Sequence, residues 1–219
     1  LYVPFTIPHV ALQVPEDSLA EYTGRWEDPA YDGKRGYVPH EHPRACYAGM
    51  VSRLDKDVGR IMAQLRNLGL DDNTLVIFTS DNGPTNAGGS ESAFFENAGP
   101  LRGLKGSVWE GGIRVPFVAR WPGRIKPGSQ SEHVCAFWDF LPTCAELLDK
   151  APPVGIDGIS ILPTLLGSPQ SQKQHDYLYW ELSGQQAVRM GDWKAVRLKP
   201  DQKTQLFDLR SDRGEKGSE

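Results

Sequence analysis

Three short groups of residues in this chain have the side chains to do chemistry. The first is Ser80-Asp81-Asn82-Gly83, which follows Leu75–Thr79, a run of apolar and β-branched residues. A carboxylate and a carboxamide oxygen side by side at the carboxyl end of a strand suit a hard cation such as calcium. Ligands in open α/β sheets collect at that end. The same tetrapeptide reads equally well as a plain turn, with Gly83 reversing the chain. The second group is Lys105, set between Gly103 and Gly106. Glycine lets backbone approach a ligand, and the ammonium offers a compact charge to an oxyanion. A lone lysine in such a loop is ordinarily only solvated. The third is His9, just past the apolar stretch Leu1–Ile7. It could carry a proton, although a single histidine at a strand end is more often structural.

The elements that must position these groups follow from pattern. Leu1–Ile7 predicts a strand, and Pro8–Pro39 a long loop of the functional kind. Arg44–Leu68 predicts a helix, started by Pro43 and ended by Gly69. Its apolar residues Tyr47, Met50, Val51, Leu54, Val58, Ile61, Met62, Leu65 and Leu68 recur at three and four. Leu75–Thr79 predicts a strand buried on both faces, as in the middle of a parallel sheet. Asn82–Gly112 is a second long loop, rich in glycine. The strand Val115–Ala119 follows, then a helix over Trp138–Leu148 with Phe140, Leu141, Cys144, Leu147 and Leu148 on one side, and a short helix near Ile159–Leu166.

Beyond the linker-like Ser168–Lys173 come short strands at Tyr177–Trp180, Gln186–Met190, Trp193–Leu198 and Gln205–Leu209. Gly191-Asp192 forms a tight hairpin turn between two of them. The expected class is α/β: part of a mixed or parallel sheet flanked by helices over residues 1–168, plus a small antiparallel sheet subdomain over 169–219.

Bulk properties narrow the partners. A chain of 219 residues with a net charge of −4 has no basic excess to neutralise nucleic-acid phosphates. No apolar run is long enough to span a bilayer. Cys46, Cys135 and Cys144 form no close metal-ligand pair, and buried thiols are the expectation for most of them. The chain opens inside an apolar stretch without a methionine, which reads as a fragment of something longer.

Taken together the segments say more. YVPFTIPHVALQVPED, YAGMVSRLDKDVGRIMAQL, TLVIFTSDNGP, LRGLKGSVWEGGIRVPFVARWPG, DFLPTCAELL, RMGDWKAVRL and QLFDLRSDRGEK stand in this order over nearly the whole chain. In this the chain resembles the formylglycine-dependent sulfatases of the alkaline-phosphatase superfamily, and specifically their carboxyl-terminal half.

The resemblance implies a sulfate-ester hydrolase of that fold. Asp81 and Asn82 match calcium ligands, Lys105 a lysine bound to a sulfate oxygen, and His9 a histidine on the sulfate ester that assists leaving-group departure. It also implies a nucleophile made by oxidising Cys or Ser in Cys/Ser-x-Pro-Ser-Arg, a signature this chain lacks. Cys46, Cys135 and Cys144 all stand in other contexts. Calcium would be shared with amino-terminal ligands also missing here, so the expectation is weak calcium binding and no turnover by these residues alone.

A sulfated carbohydrate or aryl sulfate is the implied substrate, and a periplasmic, secreted or lysosomal location the implied compartment. Tyr31, Tyr37, His40, His42, Glu91, Phe94, Phe95, Glu96 and Asn97 lie in loops that could meet a sugar ring or merely pack on one another. Arg102 and Arg114 are expected in ion pairs. Two other readings stay open: a truncated non-enzymatic protein that binds an anion or a partner, and a phosphatase or phosphonate hydrolase of the same superfamily. A face left open by absent residues would favour self-association.

Overall fold

Helix α2, Pro43–Asn67, is the longest element and shows how local sequence sets its ends. Pro43 occupies the first turn, where its missing N–H costs nothing. Gly69 takes φ +68° just past the end. The Gly69 N–H then reaches the Arg66 carbonyl and the Leu70 N–H the Leu65 carbonyl, at 3.0 and 2.9 Å. That pair of bonds is a Schellman stop. Only the first two turns are fully covered, by way of Pro43, Ala45, Cys46, Gly49 and Met50. The predicted stripe continues half-buried, and Val51 is exposed.

The computed structural model describes residues 1–218. Short α1, Glu16–Ala20, packs on α2. Strands β1 (Val76–Thr79) and β2 (Phe117–Arg120) form a two-stranded sheet. One-turn helices α3 (Ser92–Phe95) and α4 (Glu110–Ile113) interrupt the loop between them. Helices α5 (Phe140–Leu147) and α6 (Leu162–Leu165) follow. Strands β3 (Leu178–Leu182), β4 (Gln185–Met190), β5 (Trp193–Arg197) and β6 (Gln205–Asp208) make an antiparallel sheet in sequential order. Among the described residues, no helix is long and apolar enough to cross a membrane.

The α/β class and the carboxyl-terminal antiparallel sheet are as the sequence implies; several details differ. Leu1–Ile7 is not a strand, having no ladder partner among the described residues, and Leu1–Thr6 are exposed. β1 pairs antiparallel with β2, Val76 opposite Arg120 and Thr79 opposite Phe117. A parallel return needs a crossover of a dozen residues or more, usually a helix, and α3 and α4 are single turns. All strand ladders among the described residues are antiparallel. β1 is accordingly half-covered rather than buried on both faces, with Phe78 exposed.

Helix α5 also turns a different side inward: Pro142 and Thr143 are buried, while Leu141, Cys144, Leu147 and Leu148 are exposed. Hydrogen bonds decide this. The Thr143 hydroxyl donates to the Asp139 carbonyl at 2.6 Å and accepts the Ile161 N–H at 2.9 Å. The Asp139 carboxylate accepts the Ala136 and Ile159 N–H groups and faces His175 Nε2 at 2.9 Å.

Two apolar cores hold the long loops in place. One joins Val10 and Leu12 to Cys46 and Met50 of α2, with Ile7 and Ala87 against it. The other joins Val108 and Trp109 to Ala187, Val196, Phe207 and Leu209 of the four-stranded sheet. In the second core lies a charge cluster. Lys194 on β5 is fully buried, with Nζ 2.9 Å from Glu110 Oε1 and 2.9 Å from Glu215 Oε1. The second contact is an ion pair without hydrogen-bond alignment, and Glu215 Oε1 has no hydrogen-bond partner among the described residues. Glu215 Oε2 accepts the Glu110 N–H at 2.7 Å. Burial pushes the Glu215 carboxyl up, against the pull of the Lys194 ammonium and the Glu110 N–H. Removing one partner of a buried pair strands the others in low dielectric, at a cost of about 3–5 kcal/mol. Lys194→Met should therefore lose stability of that order in urea denaturation, and a loss below about 1 kcal/mol would contradict this account of the cluster.

Candidate active site

The loop after β1 and the loop bearing Lys105 are locked together through glycine backbone. The Gly83 N–H donates to the Gly112 carbonyl at 3.0 Å, and the Lys105 N–H to the Pro84 carbonyl at 2.8 Å. A Cβ on Gly83 would lie 1.8 Å from the Gly111 carbonyl oxygen, and one on Gly111 would lie 2.3 Å from the Gly103 carbonyl oxygen. No side chain fits in either place, so these glycines are required by space. The contact sets the backbone that carries Asp81 and Asn82 beside the backbone that carries Lys105. Behind Lys105, Val108 and Trp109 enter the sheet core and Glu110 enters the Lys194 cluster.

The polar ends are available. Asp81 and Lys105 are exposed. Among the described residues neither side chain has a hydrogen-bond or ion-pair partner. Asn82 Nδ2 donates to its neighbour's carbonyl, Gly83 O, at 2.9 Å, which leaves Oδ1 free to accept. Ser80 Oγ fixes the turn by donating to the Asn82 carbonyl at 2.9 Å. The donor set thus fits part of a calcium shell: two hard oxygens on one turn. It is far from a full set of about six to eight. Among the described residues no three His, Cys, Asp or Glu side chains converge on a metal position.

His9 arrives from the other core. Val10 and Leu12, directly after it, are buried against α2, and His9 itself is exposed. Its Nδ1 bonds the Val10 carbonyl. A carbonyl only accepts, so Nδ1 carries the hydrogen and Nε2 is the atom left to take up or release a proton. Val10 also abuts Gly88, where an added Cβ would lie 2.9 Å from Val10 Cβ and 3.0 Å from Tyr37 Cδ2. The loop after β1 therefore touches the His9 strap at Gly88 and the Lys105 loop at Gly83. Asp81 and Asn82 stand on a segment that touches both the His9 strap and the Lys105 loop, with no direct side-chain bond among Asp81, Asn82, Lys105 and His9 in the described residues.

The remaining loop residues divide. Tyr31 is buried, pairs with His40 in an isolated antiparallel bridge, and donates its hydroxyl to the Gly36 carbonyl. Phe94 and Phe95 pack on Trp26 and on each other, and Phe95 on Tyr47. Glu91 pairs with Arg44, and Asn97 bonds the Tyr47 hydroxyl at 3.1 Å. These hold loop to loop. Arg114 does pair with Glu110, at 3.6 Å. Among the described residues Arg102 forms no ion pair, contrary to expectation: it stacks 3.8 Å over Trp109 and donates to the Glu215 carbonyl at 2.8 Å. Periodicity and motif gave no sign of Lys194, Glu110 or Glu215; only a charged residue inside an alternating strand hinted at the first.

Comparison with known proteins decides the family. Residues 1–150 match the Sulfatase family, and residues 104–218 match the family described as N-sulphoglucosamine sulphohydrolase, C-terminal. The chain belongs to the sulfatase family.

An uncharacterized sulfatase of Schizosaccharomyces pombe is 30% identical, covering 98% of this chain and 53% of that protein. Arylsulfatase A of Homo sapiens is 40% identical over 69% of this chain and 30% of its own length. The crystal structure of Ps i-CgsB in complex with k-i-k-neocarrahexaose superposes with a TM-score of 0.76 at 28% identity, over 97% of this chain and 44% of that one. The chain thus spans about half the length, or less, of the relatives it matches.

Neither Cys46 nor Cys135 offers an activated thiol. Cys46 is buried in α2, where burial pushes its thiol up to about 11. Cys135 is half-buried and likewise raised, and Cys144 is exposed, so of the three only Cys46 is the fully buried thiol expected of most of them. The Tyr31–His40 loop also carries a pH dependence. His40 Nδ1 accepts the His42 N–H at 3.0 Å, which requires the neutral ring. Burial, then the neighbouring His42, holds His40 below its ordinary value of 6.5. The unfolded chain therefore takes the proton first. The His40 contribution to stability is whole above the unfolded value and is lost as pH falls through the folded one. The urea midpoint should be lower at about pH 5.5 than at about pH 7.5, with a smaller drop in His40→Gln; an equal drop in both proteins would refute the assignment.

Proposed function

We propose that this chain supplies part of the active site of a calcium-dependent sulfatase acting on sulfated carbohydrate or aryl sulfate. The observation that carries the reading is the glycine interlock, which brings onto touching loops two oxygen donors and an ammonium that have no partner among the described residues. Asp81 and Asn82 are the calcium ligands in this reading, completed by groups outside the chain. The formylglycine nucleophile is likewise supplied from outside it, since no Cys/Ser-x-Pro-Ser-Arg sequence occurs here. Bound calcium would add positive charge where a sulfate ester is negative.

The chain's own residues do the rest. Lys105 holds a non-bridging sulfate oxygen and offsets charge on it. His9, with Nδ1 committed to the Val10 carbonyl, delivers a proton from Nε2 to the departing ester oxygen. Residues 1–168 carry these groups, and the sheet residues Ala187, Val196, Phe207 and Leu209 brace the Lys105 loop from behind. The carbohydrate preference draws on the oligosaccharide complex of the related Ps i-CgsB. A periplasmic, secreted or lysosomal location follows from the family resemblance alone.

The test is hydrolysis of 4-nitrophenyl sulfate and of a sulfated monosaccharide. It uses the product of the longest open reading frame that contains this sequence, with and without a calcium chelator. We expect chelator-sensitive turnover, with Lys105→Ala and Asp81→Ala each slower by roughly a hundredfold or more. The 219-residue chain by itself should show none. Chelator-insensitive turnover, or unchanged rates in both variants, would sink the site assignment. Anion binding without any turnover would favour a non-enzymatic binder.

A further inference from the structure

Tyr37 is a loop aromatic that neither of the two cores nor the Phe94–Phe95 cluster absorbs. It is 51% exposed. Its backbone sits at φ +65°, a left-handed conformation that costs an aromatic residue free energy. The loop beneath it is tightly built. Buried Tyr31 donates to the Gly36 carbonyl and accepts the Arg35 N–H at 3.1 Å. Gly33 packs on Pro39, and the Tyr31–His40 bridge closes the base with bonds of 2.8 and 3.0 Å. On the other side, the ring edge rests against Gly88, where an added Cβ would lie 3.0 Å from Tyr37 Cδ2. The ring centroid lies 6.3 Å from that of His9 at an interplanar angle of 75°. The two rings form a corner with one imidazole wall and one exposed phenol wall.

We propose that the Tyr37 ring is a platform for the sugar ring of the ester whose sulfate lies against His9 and Lys105. This rests on the function proposed above. A pyranose turns an apolar face of C–H groups to one side while its hydroxyls point outward. An exposed aromatic face covers that apolar side without needing to bond any particular hydroxyl. An aryl sulfate would use the same surface through its own ring. Tyr37 touches the carried group rather than the bond that breaks, so it sets which alcohol is accepted. Orienting a ring next to a proton carrier needs a rigid support, and the Tyr31–Gly36 bond with the Gly88 contact supplies one.

The experiment is saturation-transfer NMR and titration on the product of the longest open reading frame that contains this sequence, with glucose 6-sulfate, glucose and inorganic sulfate as probes. The proteins are wild type, Tyr37→Ala, Tyr37→Phe and Lys105→Ala. We expect saturation on the sugar C–H protons and Tyr37→Ala weaker by roughly eightfold, the factor implied by uncovering ~50 Å² of apolar ring. Tyr37→Phe should bind as wild type does, since the ring and not the hydroxyl is used. Binding of inorganic sulfate should be unchanged in Tyr37→Ala and weakened in Lys105→Ala. Tyr37→Ala binding glucose 6-sulfate as tightly as wild type overturns the platform, as does the absence of any sugar saturation. Glucose bound as tightly as its sulfate, and lost in Tyr37→Ala, keeps the platform while the sulfate reading fails.

Discussion

A buried ammonium cannot stand alone, and the carboxyl-terminal half of this structure is organised around that fact. Lys194 comes from the four-stranded sheet, Glu110 from the glycine-rich loop, and Glu215 from the end of the chain. Each carboxylate would be costly at that depth without the lysine, and the lysine without them. Hydrophobic contacts alone could let the loop slide over the sheet. Charged partners with directional bonds, including the Glu110 N–H to Glu215, permit one seating. Arg102, stacked on Trp109 and bonded to the Glu215 carbonyl, closes the same corner.

From that corner the constraint passes to the site through backbone. Gly111 and Gly112 follow Glu110 directly, and the Gly83 turn fits against them with no room for a methyl group. Fixing the loop on the sheet therefore fixes the turn that carries Asp81 and Asn82. Fixing that turn places Gly88, against which the His9 strap and Tyr37 rest. In the function proposed above, a site positioned this way would lower a barrier because its charges need not reorganise when the ester bond stretches. Asp81 and Lys105 are exposed and without partners among the described residues, which supports that proposal.

The sequence carried the local grammar well. Pro43 and Gly69 bracket α2, and Gly191 with φ +57° turns β4 into β5 as its pattern implies. The ordered motifs placed the chain with the sulfatases, and the family match agrees. Long-range choices were not. Nothing local in Leu1–Ile7 shows whether a partner strand is present, and nothing in Val76–Thr79 shows that β2 returns antiparallel. The inward side of α5 was misjudged because apolar periodicity ignored Asp139 and Thr143, whose hydrogen bonds outvote Leu141 and Leu148. In the loops, Tyr31 and Tyr37 read alike as aromatics flanking Gly33 and Gly36. Only tertiary contact separates the buried support from the exposed surface.

A crystal structure of the product of the longest reading frame containing this sequence, grown with calcium and a slow sulfate ester, tests the central claim most directly. The account predicts that Asp81 and Asn82 Oδ1 lie on the calcium, with Lys105 Nζ and His9 Nε2 on the sulfate, and the Gly83–Gly112 bond intact. Calcium held without Asp81 and Asn82, or sulfate bound away from Lys105 and His9, would contradict it.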